Sequence, residues 1–193
     1  MNKSRLEAFS DGVIAIIITI MVLEMKVPHG ATLSDLDPTL PVFLSYVLSY
    51  VNVGIYWTNH HHMLHAVRHV TGGVLWANLL LLFCLSLMPF TTGWMGENHF
   101  APLPTAVYGV VLLMAANSYL ILQRVIIRAD GPDSPLARAV GADRKGLVSR
   151  LAYFAAVPLA FVRPWIADAL YVLVAMMWFI PDRRIERQLT ANS

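Results

Sequence analysis

The sequence predicts an all-α integral membrane protein whose subunit crosses the bilayer six times, with both termini on the cytoplasmic side. Three observations carry that prediction. Hydrophobic residues make up 57% of the 193-residue chain and charged residues 13%, with a mean hydropathy of +0.59; a soluble domain holds about one quarter charged residues. The apolar residues gather into six runs, most of them near the ~20 residues that cover the hydrocarbon core. The basic residues fall almost wholly on one side of the topology that those runs define.

The first run covers residues 6–25 and begins within RLEAFSDGVIAIIITIMVLEM. Its uninterrupted apolar part, Gly12 to Leu23, is only about 18 Å long at the helical rise, short of the ~30 Å core. To span, the helix must draw Asp11, and with it Glu7 and Glu24, toward membrane depth. Carboxylates facing lipid there are costly, so the first helix is predicted to be an interior one. Lys3 and Arg5 ahead of an apolar run resemble the start of a secretory signal. However, Glu7 and Asp11 precede the run and no small-x-small cleavage site follows it, so it reads as a retained span.

The second run, 39–62, is set off by Pro28, Pro38 and Pro41 and ends in the histidine-rich NHHHMLHAVRH. The third covers 70–94. The fourth, 103–125, starts among Pro102 and Pro104, residues suited to a helix start. Residues 129–146, ADGPDSPLARAVGADRKG, read as a polar, mobile connector. The fifth and sixth, 147–162 and 165–181, are short and joined by Arg163-Pro164, which allows only a tight turn; a re-entrant hairpin is the alternative for this pair. The whole of 1–193 forms one transmembrane domain, without visible repeats or a soluble module.

Six crossings place Lys3, Arg5, Arg68, Arg124, Arg128, Arg138, Arg144, Lys145, Arg150, Arg183, Arg184 and Arg187 on the side of the termini, twelve of the 14 Lys and Arg. Only Lys26 and Arg163 remain opposite, which makes the terminal side cytoplasmic. A net charge of +2 gives no footprint for nucleic acid. The lone Cys84 excludes a disulfide framework. No Ser/His/Asp or Cys/His constellation, phosphate loop or dinucleotide fingerprint is present, so an enzyme is not expected and neither is a cofactor.

Two patterns invite a site. Gly12, Ile16, Thr19 and Leu23 follow the i, i+4, i+7, i+11 spacing of one helix stripe, with Ile20 beside them. Such a stripe suits either helix packing or a pore wall that gates by dewetting, with a hydroxyl layer at Thr19. His61, His65 and His69 recur every four residues and share a face, with His60 and His62 alongside. No cysteine is near and only Glu7 and Asp11 offer carboxylates, so no metal site is assigned; imidazoles at the interface suit pH sensing better. Buried polar groups near Ser10 and Asp11 need partners. Trp57, His60, Trp76 and Asn78, at the same end of the second and third helices, are the candidates.

In order, Arg5, Phe9, Ser10 and Asp11 (RLEAFSD), Trp57-x-x-His60, Asn78 and Pro89-Phe90 resemble the RxxxFSD signature and its companions in the endosomal/lysosomal potassium channel family and its bacterial relatives. The resemblance covers about half the chain. It implies six-helix subunits assembled as homotetramers in the cell membrane, around a pore lined by the first helix. It further implies a constriction at Ile16, Ile20 and Leu23, a hydroxyl layer at Thr19, and a network of Arg5, Phe9, Ser10, Asp11, Trp57, His60, Trp76 and Asn78 that holds the pore helix. K+ and other monovalent cations would pass passively. AVYGVV, Ala106 to Val111, lacks the Thr-Val-Gly of a carbonyl-lined filter and lies mid-helix, so Gly109 reads as a packing residue. The competing reading is a secondary transporter that couples cation movement to protons through Asp11, Glu24 or Asp168. For Asp168, capping the last helix or pairing with Arg163 is the plainer expectation.

Overall fold

The computed structural model describes residues 2–141 and 143–179, and among them every regular element is helical. Helix α1 spans Lys3–Leu23, α2 Leu40–His65, α3 Gly72–Ser86, α4 Met88–Glu97, α5 Pro102–Asp130, α6 Pro135–Val140, α7 Arg144–Val162 and α8 Pro164–Phe179. A 3-10 segment, Leu33–Thr39, leads into α2. The ends obey capping chemistry. The Thr71 hydroxyl accepts the Val74 N–H, the Ser134 hydroxyl accepts the Ala137 N–H, and the Asp143 carboxylate accepts the Gly146 N–H at 3.0 Å. Pro41, Pro89, Pro102, Pro135 and Pro164 occupy first-turn positions, where a missing N–H costs nothing.

The apolar spans are long enough to cross a membrane in α1, the 3-10 segment with α2, α3 with α4, α5 and α7. Helix α8, with 16 residues, is shorter but equally apolar. Three expectations are revised. The third run is not one helix: it breaks at Leu87, just ahead of Pro89, whose ring and absent N–H interrupt the α-helical ladder. Helix α5 continues to Asp130, five residues past the expected end. The connector after it is anchored rather than loose, since it folds as α6 with Leu136 buried against the core. The chain turns from α7 to α8 through Arg163 alone, as the Arg163-Pro164 pair demanded. The last two residues of the sixth run, and Arg183, Arg184 and Arg187, lie outside the described residues.

Helix α5 is the spine of the subunit. Tyr108, Leu112, Ala115, Leu122 and Ile126 on it are fully buried, packed between α3 on one side and α7 on the other. Helix α8 closes against α7, and α4 against α2. Helix α1 lies at the margin, resting Leu6, Ser10, Ile14, Ile17 and Met21 on α2, α3 and α4. Its opposite face is bare.

Candidate functional site

That bare face is the feature most in need of explanation. On α1, Ile14, Ile17 and Met21 are 1%, 4% and 2% exposed, whereas Ile16, Ile20 and Leu23 are 61%, 42% and 77% exposed. The division follows from 100° per residue: the buried set and the exposed set are two stripes on opposite sides of one helix. Thr19 is exposed between them. Its hydroxyl donates to its own helix, to the carbonyl of Ala15 at 3.0 Å or of Ile16 at 3.1 Å. The hydroxyl proton is therefore directed inward and the oxygen lone pairs outward.

The base of the stripe is held by a hydrogen-bond chain whose direction can be worked out from valence. The Ser10 hydroxyl donates to the Leu6 carbonyl at 2.8 Å. Having spent its proton, it accepts from the Asn78 side-chain amide at 3.0 Å. That orients the Asn78 carbonyl oxygen toward His60 Nε2, 2.7 Å away, which must carry the proton. His60, Asn78 and Ser10 are 1%, 0% and 0% exposed, so the chain is sealed from solvent. One acceptor, His60 Nδ1, is buried without a partner. A second link is separate: Trp57 donates its indole N–H to Asp11 at 3.0 Å.

The structure thus brings together Ser10, Asn78 and His60, and pairs Asp11 with Trp57. It does not gather the others. Trp76 is 76% exposed, because two residues along a helix rotate it some 200° from Asn78. Phe9 is 50% exposed, and the Arg5 side chain is exposed, with no hydrogen bond or ion pair among the described residues. Two anchors at the same end escaped the sequence reading. Lys3 donates to the His65 carbonyl and lies 4.0 Å from Glu7. Asp130 accepts the backbone N–H groups of Arg68 and His69, both at 2.9 Å, and faces His69 Nδ1 at 3.0 Å. The signal for the latter was a carboxylate following Arg124 and Arg128 at the end of α5, level with the turn after α2. His61 and His65 stack at 6.3 Å, and among the described residues no group of three metal-binding side chains forms. Beside Asp11, an open cleft of about 850 Å³ runs between α1, α2 and the end of α8, lined by Ile14, Ile18, Tyr50, Gly54, Trp57 and Trp178.

Known proteins share both the sequence and the fold. The model of the family described as endosomal/lysosomal potassium channel TMEM175 matches residues 5–89. A potassium channel of a Chryseobacterium species is 53% identical over 192 residues, covering 100% of both chains. A potassium channel of Streptomyces collinus is 32% identical, with 92% of each chain covered. The chain also resembles the crystal structure of a lysosomal potassium-selective channel TMEM175 homolog from Chamaesiphon minutus. There the TM-score is 0.76 at 26% identity, over 92% of this chain and 96% of that one.

Proposed function

The chain belongs to the endosomal/lysosomal potassium channel TMEM175 family, and on that footing we propose that it is the subunit of a potassium channel that conducts passively through a pore lined by α1. The observation that carries this reading is the uncovered stripe of α1. Three large apolar side chains and one hydroxyl face outward from a helix whose other side is packed. Lipid alone does not call for Thr19 there or for charges at the helix base.

In the proposed assembly, α1 from each of four subunits meets around an axis. The side chains of Ile16, Ile20 and Leu23 then form rings that exclude water and close the path by dewetting. The Thr19 oxygens, with lone pairs turned outward, offer the one polar layer to a dehydrating cation. Selectivity of this kind is modest, because no ring of backbone carbonyls replaces the hydration shell. The chain from His60 through Asn78 to Ser10 fixes the rotation of α1, so that the apolar stripe and no other face looks inward. The cleft beside Asp11 is an apolar seat that a neighbouring subunit would fill. The termini lie in the cytoplasm by the asymmetry of Lys and Arg, and the protein spans the cell membrane several times. The named relatives are channels rather than enzymes, and the pathway requires no cofactor besides the permeant ion.

The test is potassium flux from proteoliposomes of purified protein, with sodium-loaded vesicles in parallel and no imposed proton gradient. Passive, potential-driven potassium movement exceeding that of sodium supports the channel. Flux that requires protons or sodium to run the other way would sink it in favour of coupled transport, with Asp11 the first residue to examine.

A further inference from the structure

The helix ends opposite the cytoplasmic side carry few charges, and most of them have partners. They are Glu24, Lys26, Asp35, Asp37, Glu97 and Arg163, with Asp168 set deeper. Lys26 lies 2.7 Å from Glu97 and ties the chain just after α1 to the end of α4. Asp35 closes a capping box, accepting the Thr32 backbone N–H at 2.8 Å and the Thr32 hydroxyl at 2.5 Å. Asp168 takes up neither of its expected roles. It is the fifth residue of α8, beyond the capping positions, and it forms no ion pair with the exposed Arg163; its Oδ1 is buried without a partner.

Glu24 differs from all of these. It follows Leu23 directly, at the outer tip of the helix with the bare face, and its backbone N–H closes α1 on the Val22 carbonyl. The side chain is exposed, and its carboxylate has no hydrogen bond or ion pair among the described residues. Packing still fixes its place. A Cβ on Gly93 of α4 would lie 3.8 Å from Glu24 Cβ and 3.9 Å from Oε2, ordinary contact distances, so the side chain lies over α4. The cation nearest in sequence, Lys26, is already held by Glu97. Helix α1 therefore ends in an uncompensated negative charge. Around it the whole face is acidic, because the four carboxylates of Glu24, Asp35, Asp37 and Glu97 stand against only the two cations Lys26 and Arg163.

Resting on the reading that α1 lines the pore, we propose that Glu24 governs the supply of potassium to the channel. Four copies form a ring of negative charge at the outer mouth, which gathers cations and raises conduction at low ionic strength. The ring acts through its field and strips no water from the ion. It favours cations over anions and leaves the choice among cations to the layers below. Four unit charges about 10 Å from the axis, acting through water, raise the local potassium level roughly fivefold in ~0.01 M salt, where the screening length is ~30 Å. In ~1 M salt that length is ~3 Å and the enrichment vanishes. Salt dependence thus separates this role from a structural one, since a residue that only packs α1 against α4 acts alike at both strengths. Lys26 gives the opposite sign. Removing it leaves Glu97, whose side chain is 47% exposed, as a second uncompensated carboxylate on the same pair of helix ends.

The experiment is single-channel recording of the full chain in planar bilayers, with potassium entering from the outer side. Potassium there is held at ~0.01 M while N-methylglucamine chloride raises the ionic strength to ~1 M. Wild-type inward current is expected to fall about fivefold as the salt is added. Glu24→Gln should start at the lower level and respond less, Glu24→Asp should restore the wild-type response, and Lys26→Gln should start above wild type. Glu24→Gln currents equal to wild type in low salt overturn the proposal. So does a loss of the same factor at both strengths, which would mark a packing role. If Glu24→Gln yields no channels, Lys26→Gln decides, and unchanged current in it overturns the proposal as well. Any of these results in a conducting wild type leaves the pore reading standing, whereas a wild type without potential-driven potassium current removes both.

Discussion

At the scale of single residues, the chain His60–Asn78–Ser10 behaves as one unit, because each group's role is dictated by the next. Asn78→Leu strands the His60 N–H in a sealed site, and a loss of about 1–3 kcal/mol is expected in thermal unfolding. Adding His60→Phe removes the stranded donor and should recover part of that loss; no recovery would show that the two do not act together. Trp57→Phe keeps the ring but drops the bond to Asp11, for a smaller loss of about 1 kcal/mol. Beyond the spans, Lys26 lies 2.7 Å from Glu97, and the hydrogen bond and charge of Glu97 hold its amino group above the ordinary lysine range. A raised amine contributes stability below its unfolded pKa and loses it as pH rises through the folded one. Any difference in melting between wild type and Lys26→Gln should thus vanish in strongly alkaline buffer, and in high salt, since both partners are exposed. Residue chemistry was legible where polar groups interrupted an apolar run, as at Ser10, Asp11 and Asn78. Trp76 misled because aromatic type and depth were weighed without its helical phase.

At the scale of elements, close helix contacts depend on two glycines in different ways. A Cβ on Gly96 would lie 2.5 Å from Ser45 Oγ and 2.6 Å from the Val42 Cα, which is backbone and cannot swing aside. A Cβ on Gly109 would meet the Tyr171 hydroxyl at 2.1 Å, the far end of a side chain. Both Gly→Ala variants should destabilise, by roughly 1–3 kcal/mol or more for overpacking. Gly96→Ala should be the worse, and Tyr171→Phe should ease only Gly109→Ala; melts of the single and double variants check this. Helix starts were readable where a proline stood at the head of an apolar run, as at Pro41, Pro102 and Pro164. The break at Leu87 was hidden because the apolar run continues through Pro89 to residue 94 without a change in hydropathy. Helix α6 was hidden because Ser134-Pro135, a sound start signal, sat in a stretch judged by polarity alone. The stripe Ser45, Ser49, Asn52, Tyr56 and Asn59 on α2 was not legible, because a polar stripe facing inward has the same 4-3-4-3 spacing as one facing water.

At the scale of the whole molecule, the subunit is a packed body built on α5 with one helix only half covered, and this asymmetry leads to the functional prediction. If Ile16 lines the proposed constriction, Ile16→Asn should hydrate it; a barrier lowered by ~1.4 kcal/mol would raise potassium flux about tenfold, measured in proteoliposomes. Unchanged flux would remove Ile16 from the constriction. The membrane class was legible from composition, since the bilayer allows few alternatives. The partners of α1 were not, because a stripe of Ile, Thr and Leu is equally good for another helix of the same chain. The hydrogen-bond chain at the base of α1 also constrains how the protein is made. A nascent chain emerges from its N-terminus onward, so α1 leaves the ribosome before α3, whose Asn78 donates to Ser10, exists. Its polar base stays unmatched until residue 78 has been synthesised and inserted. The first helix thus reaches its final rotation only after α3 has been inserted beside it.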